Sequence, residues 1–179
     1  MSRLRFTAIP WLVGLLLLPA PSAQARPELI VEGTLGAAWR TALDATDRNP
    51  GFLAILGNAD LSLALSWGGV ALVGGARGRV GRAAGDLLSE FTGSIGLELA
   101  LGERVRARLG ADAGEILFRD LHAPLVGGYL AVGFQAATFA SGHAAAVLTL
   151  RLDLDDIIGN DDRLPNLSTS LAAGVGLRY

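Results

Sequence analysis

Two short acidic motifs in this sequence contain residue types that could activate a water molecule. Asp120-Leu121-His122 places a carboxylate beside an imidazole, and Asp153-Leu154-Asp155 places two carboxylates close together in the chain. An imidazole or a carboxylate within hydrogen-bond reach of water can act as a general base. Such chemistry would require the segments that carry the two motifs to meet at the same end of the fold.

A second candidate is the pair Ser141 and His143, which are the residue types of a nucleophilic hydrolase. The segment around them contains no acid that could orient the imidazole. The sequence has 2 His, so any general base of the imidazole type is either His122 or His143. We therefore expect the pair to be part of an ordinary turn.

The composition excludes several classes of protein. There is no Cys among the 179 residues, which excludes a disulfide scaffold, a thiolate metal site and a cysteine nucleophile. All 15 basic residues are Arg, the net charge is −2, and a pI of 5.6 disfavours a nucleic-acid binder. Only 18% of the residues are charged and the mean hydropathy is +0.43, so the chain is too apolar to be disordered.

The first 25 residues have the pattern of a secretory signal peptide. Arg3 and Arg5 precede an apolar run over residues 9–20, and small residues at 23 and 25 form a cleavage pattern. The apolar run is too short to span a bilayer, which takes about 20 residues. We predict a signal peptide over 1–25 and a single domain over 26–179.

The rest of the chain alternates between apolar and small or polar residues with a period of two, which is typical of β-strands. The pattern predicts eight strands of about 11 residues. Tight turns are expected at Gly68-Gly69, at 102–104 and near 138–143, and longer connections near 43–51, 81–86, 114–124 and 156–166. The prediction is an all-β fold, an eight-stranded antiparallel transmembrane up-and-down barrel.

The two faces of these strands differ in size as well as in polarity. The apolar face is rich in Leu, while the other carries Gly, Ala, Ser, Thr and a few charges, which suits the narrow interior of an eight-stranded barrel. Aromatic residues form two rows near the strand ends, as at membrane interfaces. These are Trp67, Phe134 and Tyr179 at the tight-turn end, and Trp39, Phe52 and Phe91 at the other. A soluble barrel with its apolar face inward is the alternative.

The tight turns also predict the register of the strands. Pairing across Gly68-Gly69 puts Asp60 opposite Arg77 and Asn58 opposite Arg79, and the next turn puts Glu98 opposite Arg108. The longer turn predicts Tyr129 opposite Arg151. We predict ion pairs that fill the interior, since a narrow dry space does not hold unpaired ions. They involve Asp60, Arg77, Arg79, Glu98, Arg108, Arg151 and Asp153. An ion pathway is the alternative.

The last strand resembles the C-terminal assembly signal of outer-membrane proteins. Leu171, Val175 and Leu177 occupy alternate positions and Tyr179 is a terminal aromatic. With eight strands and a signal peptide, the chain resembles the small OmpA/OmpX-type barrels. The resemblance implies insertion by the barrel-assembly machinery, contact with outer-membrane lipid in a Gram-negative bacterium, and two periplasmic termini. It implies no nucleic-acid partner and no particular loop ligand.

The resulting hypothesis is a barrel with a structural or surface-interaction role, without enzymatic activity, cofactor or metal. A small channel is the first alternative. A barrel enzyme is the second, because the two acidic motifs are similar to the water-activating site of omptin proteases and a Ser–His pair occurs in barrel lipid deacylases. Asp155, Asp156, Asp161 and Asp162 could bind Ca²⁺ weakly, although a solvated acidic loop is the favoured interpretation.

Overall fold

The computed structural model describes residues 26–43, 53–139, 142–158 and 166–179. They form eight antiparallel strands in a closed barrel, in which each strand pairs with the next and the last pairs with the first. The strands are β1 (Glu28–Ala42), β2 (Leu53–Trp67), β3 (Val70–Ala83), β4 (Asp86–Ala100), β5 (Val105–Phe118), β6 (Leu121–Thr138), β7 (Ala145–Ile157) and β8 (Leu167–Arg178). The predicted fold is confirmed; the predicted signal peptide, 1–25, lies outside the described residues.

In the described ranges, no helix has the length and apolar character needed to cross a membrane.

Two of the predicted long connections are wrong. The β3–β4 connection consists of Ala84 and Gly85, and the β5–β6 connection of Arg119 and Asp120. Ala84, Gly85 and Arg119 have positive φ angles of 51°, 92° and 57°, as two-residue hairpin turns require. Residues that were assigned to the loops 81–86 and 114–124 instead extend the strands, which are 12 to 18 residues long.

The barrel therefore has two different ends. The "turn end" carries the connections 68–69, 101–104 and 139–144, together with the beginning of β1 and the end of β8. The "loop end" carries the two short hairpin turns and the two longer connections, 43–52 and 158–166. These longer connections join β1 to β2 and β7 to β8, so they flank the β8–β1 pair on one side of the barrel.

The stagger of the strands follows from the register. From Ser66 on β2, the chain of paired residues passes around the barrel and returns to β2 at Leu56, ten residues nearer the loop end. A stagger of this size tilts the strands by about 40° from the barrel axis. The interior is then just wide enough for side chains to fill.

The outer surface carries an apolar band of bilayer width. On β7 the band extends from Ala146 to Leu154, and on β3 from Val70 to Val80. These spans match the roughly 9–11 residues that a tilted strand needs to cross a membrane. Leu63 and Leu150, both within the band, are each 52% exposed. The alternative of an inward apolar face is therefore wrong.

A ring of polar residues ends the apolar band on the loop-end side. At the next outward position beyond the band, the strands carry Thr41, Arg82, Ser89, Glu115, Asp156 and Thr169. Trp39 and Phe91 are the last aromatic residues below this ring, and Phe134 and Tyr179 are exposed at the turn end. Both aromatic rows thus lie at the edges of the band, while Phe52 lies outside the described residues.

The interior is apolar near the loop end, which the sequence analysis did not predict. Leu56, Leu88, Ile116 and Leu125 are each 0% exposed and pack with neighbouring Ala, Phe and Ile side chains in one cluster. Because these residues point inward from four strands, β2, β4, β5 and β6, near their loop ends, they close the barrel there. A smaller cluster of Ala64, Ala71 and Val73 lies near the turn end.

Candidate functional site

Charged side chains fill much of the interior in three layers along the barrel axis. The loop-end layer contains Arg40, Glu90 and Asp155. The central layer contains Asp60, Arg77, Arg79, Asp112, Arg151 and Asp153. The turn-end layer contains Glu32, Glu98, Arg106, Arg108 and Arg178. Seven of the eight strands contribute at least one of these residues, because each strand turns alternate side chains inward. Strand β6 contributes the Tyr129 ring instead, against which Arg151 stacks.

Asp153 lies at the centre of the network. Its carboxylate accepts hydrogen bonds from Arg77 at 2.6 Å, from Arg79 at 2.6 Å and from Arg151 at 2.7 Å, and from the Ser170 hydroxyl at 2.8 Å. Asp153 and Arg79 are both 0% exposed. Three guanidinium groups around one carboxylate repel one another unless other acids share their charge.

Asp112 shares that charge in the central layer. Its Oδ2 atom lies 3.1 Å from Arg77 and 2.6 Å from Arg151. Asp60 adds a third carboxylate, 3.5 Å from the Arg151 guanidinium. The central layer therefore contains three Arg and three carboxylates and is neutral as a whole.

The register predicted for the two short turns is confirmed. Asp60 lies opposite Arg77 on the neighbouring strand, Asn58 opposite Arg79, and Glu98 opposite Arg108. Asn58 accepts a hydrogen bond from Arg79 at 2.9 Å, and Glu98 binds Arg108 at 2.6 Å. Arg77, however, extends across the interior to Asp112 and Asp153.

The register predicted for Tyr129 is wrong. Tyr129 lies opposite Asp153, and Arg151 lies opposite Ala131. The β6–β7 connection, 139–144, lies later in the chain than predicted, and the register shifts between Gln135 and Ala137. The Arg151 guanidinium nevertheless stacks on the Tyr129 ring, 3.7 Å from its centroid. Such a cation–π contact adds to the ion pairs of Arg151.

Two glycines provide the space for the Tyr129 ring. A Cβ atom at Gly96 would lie 2.6 Å from the Tyr129 hydroxyl, and one at Gly110 would lie 2.6 Å from Tyr129 Cε1. Both glycines point inward from neighbouring strands, β4 and β5. A larger residue at either position would displace the ring and the guanidinium stacked on it.

The turn-end layer joins strands from opposite sides of the barrel. Arg108 on β5 binds Glu98 at 2.6 Å and Glu32 on β1 at 2.8 Å. Arg178 on β8 binds the same two carboxylates at 2.7 and 3.1 Å. Arg106 lies 3.5 Å from Glu98. This layer therefore holds three Arg and two carboxylates.

The loop-end layer has the opposite charge balance. Arg40 is 0% exposed and binds Glu90 at 2.8 Å, Asp155 at 3.0 Å and the Ser168 hydroxyl at 2.6 Å. Glu90 also lies 3.6 Å from Arg79, which connects this layer to the central one. One Arg faces two carboxylates here, so the excess acid of this layer balances the excess Arg at the turn end.

The predicted interior residues are thus all in charged contacts, but the sequence analysis missed several of their partners. Glu32, Asp155 and Arg178 were not among the predicted ion-pair residues. The alternation of each strand places all three on the inward face, so this alternation was the available signal. Asp155 binds Arg40 and Arg178 binds Glu98 on strands that are not neighbours, while Glu32 binds Arg178 across the β8–β1 closure of the barrel. The register of a hairpin reveals neither kind of pair.

Little free space remains inside. Between the central and turn-end layers the described residues enclose a cavity of about 40 Å³ lined by Asp60, Ser62, Arg108 and Tyr129. A second space of about 20 Å³ adjoins Glu98 and Arg106. Each is the size of one or two water molecules. Arg guanidinium groups and their partners occupy the remaining cross-section.

The candidate catalytic residues do not form one site. His122 is on the outer face of β6, with Nδ1 3.8 Å from Glu115, and its side chain is 67% exposed. Asp153 and Asp155 point into the interior and bind Arg groups there. The barrel wall therefore separates the two acidic motifs. His143 lies in the turn-end connection, while Ser141 lies outside the described residues.

The predicted weak cation site is also divided. Asp155 is buried against Arg40, whereas Asp156 is exposed on the outer face. Asp161 and Asp162 lie outside the described residues. Among the residues that the structure describes, no group of three or more potential metal ligands comes together.

The residues of the predicted assembly signal lie on the outer surface of β8. Leu171, Val175 and Leu177 are 44%, 61% and 59% exposed. Tyr179 exchanges two backbone hydrogen bonds of 2.8 Å with Val31, which extends the β8–β1 pairing to the last residue. The role of this segment in assembly remains a prediction.

Solved structures of other proteins share this fold. Neisserial surface protein A has a TM-score of 0.55 and 12% sequence identity, over 86% of this chain and 97% of that chain. Ail, the attachment invasion locus protein of Yersinia pestis, solved in complex with the heparin analogue sucrose octasulfate, has a TM-score of 0.52 and 12% identity, over 85% and 99% of the two chains. No protein-family model matches the sequence, and no curated protein matches it significantly. The similarity therefore concerns the fold, a small eight-stranded barrel.

Proposed function

We propose that this chain is an integral outer-membrane barrel of a Gram-negative bacterium with a structural or surface-interaction role at its loop end. The observation that carries the proposal is the arrangement of the two faces. An apolar band of bilayer width surrounds an interior in which Arg and carboxylate groups neutralise one another. In water the band would be an exposed apolar surface far larger than soluble proteins show.

The two ends of the barrel support an orientation in the membrane. Glu32 near the beginning of β1 pairs with Arg178 at the end of β8, so β1 begins and β8 ends at the turn end. In barrels of this type short turns face the periplasm and longer loops face outward. We infer that the turn end is periplasmic and that the loop end is exposed at the cell surface.

Two hairpins at the loop end form a platform above the membrane. β3–β4 and β5–β6 both continue past the polar ring before they turn. Arg119 of one hairpin binds Asp86 of the other at 2.5 Å, and its guanidinium lies 5.2 Å from the Phe118 ring. The pairing of β4 with β5, which continues up to Leu88 and Phe118, and the two tight turns hold the hairpins in a fixed relation, as a docking surface requires.

The charge at this end supports a neutral or cationic partner. The solved Ail complex contains a polyanion, which needs a positive surface. Here the loop end and its connections carry eight acids and four Arg by sequence. The acids are Asp44, Asp47, Asp86, Glu115, Asp120, Asp156, Asp161 and Asp162, and the Arg residues are Arg48, Arg82, Arg119 and Arg163. A negative surface repels polyanions and lowers their rate of association.

Cysteine labelling of intact cells tests the proposed orientation. The chain has no Cys, so a single introduced thiol is the only target in the protein. We expect Asp120→Cys at the loop end to react with a membrane-impermeant maleimide on intact cells. Glu103→Cys, in an exposed turn at the other end, should react only after the outer membrane is opened.

The two variants replace acids in exposed turns, so their thiols differ in location rather than in accessibility. Labelling of Glu103→Cys alone on intact cells would reverse the orientation. Protection of both thiols until lysis would place the protein away from the cell surface.

Conductance measurements test the closed interior against the channel alternative. Among the described residues, the apolar cluster at the loop end and the paired charges below it enclose spaces of about 40 and 20 Å³ between the charged layers. We expect purified protein in planar bilayers to show no steady porin-like current. A stable open state of large conductance would instead favour the channel.

A further inference from the structure

The turn-end layer has three Arg against two carboxylates, and the exposed Glu28 stands at the rim of the mouth that opens beside this layer. Arg106, Arg108 and Arg178 share two carboxylates, Glu32 and Glu98. Glu98 is already bound by Arg108 at 2.6 Å and by Arg178 at 2.7 Å, while Arg106 lies 3.5 Å away. Arg106 is therefore the guanidinium in this layer whose positive charge is least neutralised by a neighbouring carboxylate.

An open cavity adjoins this excess charge. The mouth contains a space of about 600 Å³ lined by Glu28, Arg106, Gln135, His143, Arg178 and Tyr179. The Arg106 side chain is 24% exposed, compared with 7% for Arg178. Arg106 is thus the charged group of the turn-end layer that a ligand in the mouth reaches most easily.

We propose that this mouth binds a phosphate-class oxyanion, with Arg106 as the anchoring cation. A planar guanidinium matches the oxygens of a phosphate group with two parallel hydrogen bonds. The apolar barrel wall around the mouth concentrates the field of the excess charge in the cavity. The central and loop-end layers have no such excess, since four Arg there face five carboxylates.

The position of the mouth allows two sources of phosphate. Arg178 adjoins Tyr179, and Phe134 and Tyr179 belong to the aromatic row at the turn-end edge of the apolar band. The mouth therefore lies at the depth of lipid headgroups. Its ligand is the phosphodiester of an anionic phospholipid or a small soluble phosphate. The site is at the opposite end from the proposed interaction surface and does not depend on a surface role.

Binding is measured on the full barrel with ¹⁵N-labelled Arg side chains, whose Nε–H signals report on guanidinium contacts. One arm titrates inorganic phosphate into protein in an uncharged detergent, with sodium chloride at matched ionic strength as the reference. The other arm compares nanodiscs of phosphatidylcholine with nanodiscs that also contain phosphatidylglycerol. We expect a saturable shift of the Arg106 signal in at least one arm. Phosphate alone indicates a soluble ligand, and phosphatidylglycerol alone indicates a headgroup.

Three variants test the assignment to Arg106. Arg106→Gln, in which binding is followed by the signal of Arg178 in the same cavity, should weaken binding about tenfold or more, the size of a lost charge-assisted hydrogen bond. Glu28→Gln should strengthen binding, because it removes an exposed acid from the rim of the same cavity. Arg104→Gln is the matched control, since Arg104 is exposed in the neighbouring turn and does not line the cavity.

The inference is overturned if neither phosphate nor phosphatidylglycerol gives a saturable shift in the native chain. It is also overturned if Arg106→Gln and Arg104→Gln bind equally well. Because Glu28→Gln leaves every residue of the charged layers in place, it tests the same site even if Arg106→Gln fails to fold.

Discussion

Replacement of Asp153 by Ala is expected to destabilise the barrel by about 3–5 kcal/mol, the cost of leaving buried charges without a partner. Three guanidinium groups contact this carboxylate at 2.6, 2.6 and 2.7 Å, and the side chain has no exposure to solvent. Asp112 and Asp60 cannot balance Arg77, Arg79 and Arg151 alone. Urea unfolding of the refolded barrel, followed by tryptophan fluorescence, measures the change.

Asp156→Ala is the matched control for this variant. Asp156 is three residues further along β7, on the outer face, and is exposed. Its removal should change the free energy of unfolding by less than about 1 kcal/mol, as is usual for surface charges. Equal effects of the two substitutions would show that the central layer does not hold the structure together.

Replacement of Leu150 by Arg is expected to cost about 2–4 kcal/mol, the penalty for an Arg at the midplane of a membrane barrel. Leu150 lies at the middle of the apolar band on β7, between Leu148 and Leu152, and is 52% exposed. The introduced charge would face hydrocarbon in a membrane and water in a soluble barrel. Urea unfolding of protein inserted in phosphatidylcholine vesicles measures the difference.

Leu87→Arg is the control for the position of the membrane. Leu87 is 63% exposed and lies beyond Ser89, on the loop-end side of the polar ring. The same substitution should therefore cost only about 0–1 kcal/mol, as near the membrane surface. If Leu150→Arg proved as mild as Leu87→Arg, the outer face would not be in contact with lipid.

The sequence allowed the interior register to be predicted wherever a short turn fixes it. The two-residue turn at Gly68-Gly69 allows a single register between β2 and β3. Asp60 lies opposite Arg77 as predicted. The six-residue connection between β6 and β7 leaves several pairings, and a register shift adds another. The predicted partner of Tyr129 was wrong for that reason.

The strand ends at the loop end were harder to predict. Arg82, Glu115 and His122 are polar residues on the outer face, where the strands have already left the apolar band. In a membrane barrel this outward polarity is typical of a strand above the bilayer and of a loop alike. The inward residues, such as Leu88 and Ile116, remain apolar at these strand ends. The signal that the strands continue is therefore confined to their inner face.

The choice of ion-pair partners across the interior depends on the radius and stagger of the closed barrel. Arg77 on β3 binds Asp112 on β5 and Asp153 on β7, although its neighbour in the sheet is Asp60. A guanidinium at the end of a long side chain reaches the far wall of so narrow a barrel. Composition and alternation predict which residues point inward, but not which of them meet.

Ion pairs that join strands far apart in the chain affect whether the strands of this barrel can enter a membrane one at a time. Glu32 on β1 is neutralised by Arg108 on β5 and Arg178 on β8. A single hairpin that crossed the hydrocarbon alone would carry charges whose partners had not yet arrived, at a cost of several kcal/mol for each charge. In a bilayer, insertion strand by strand would therefore be unfavourable, and we expect the eight strands to cross together as the interior closes.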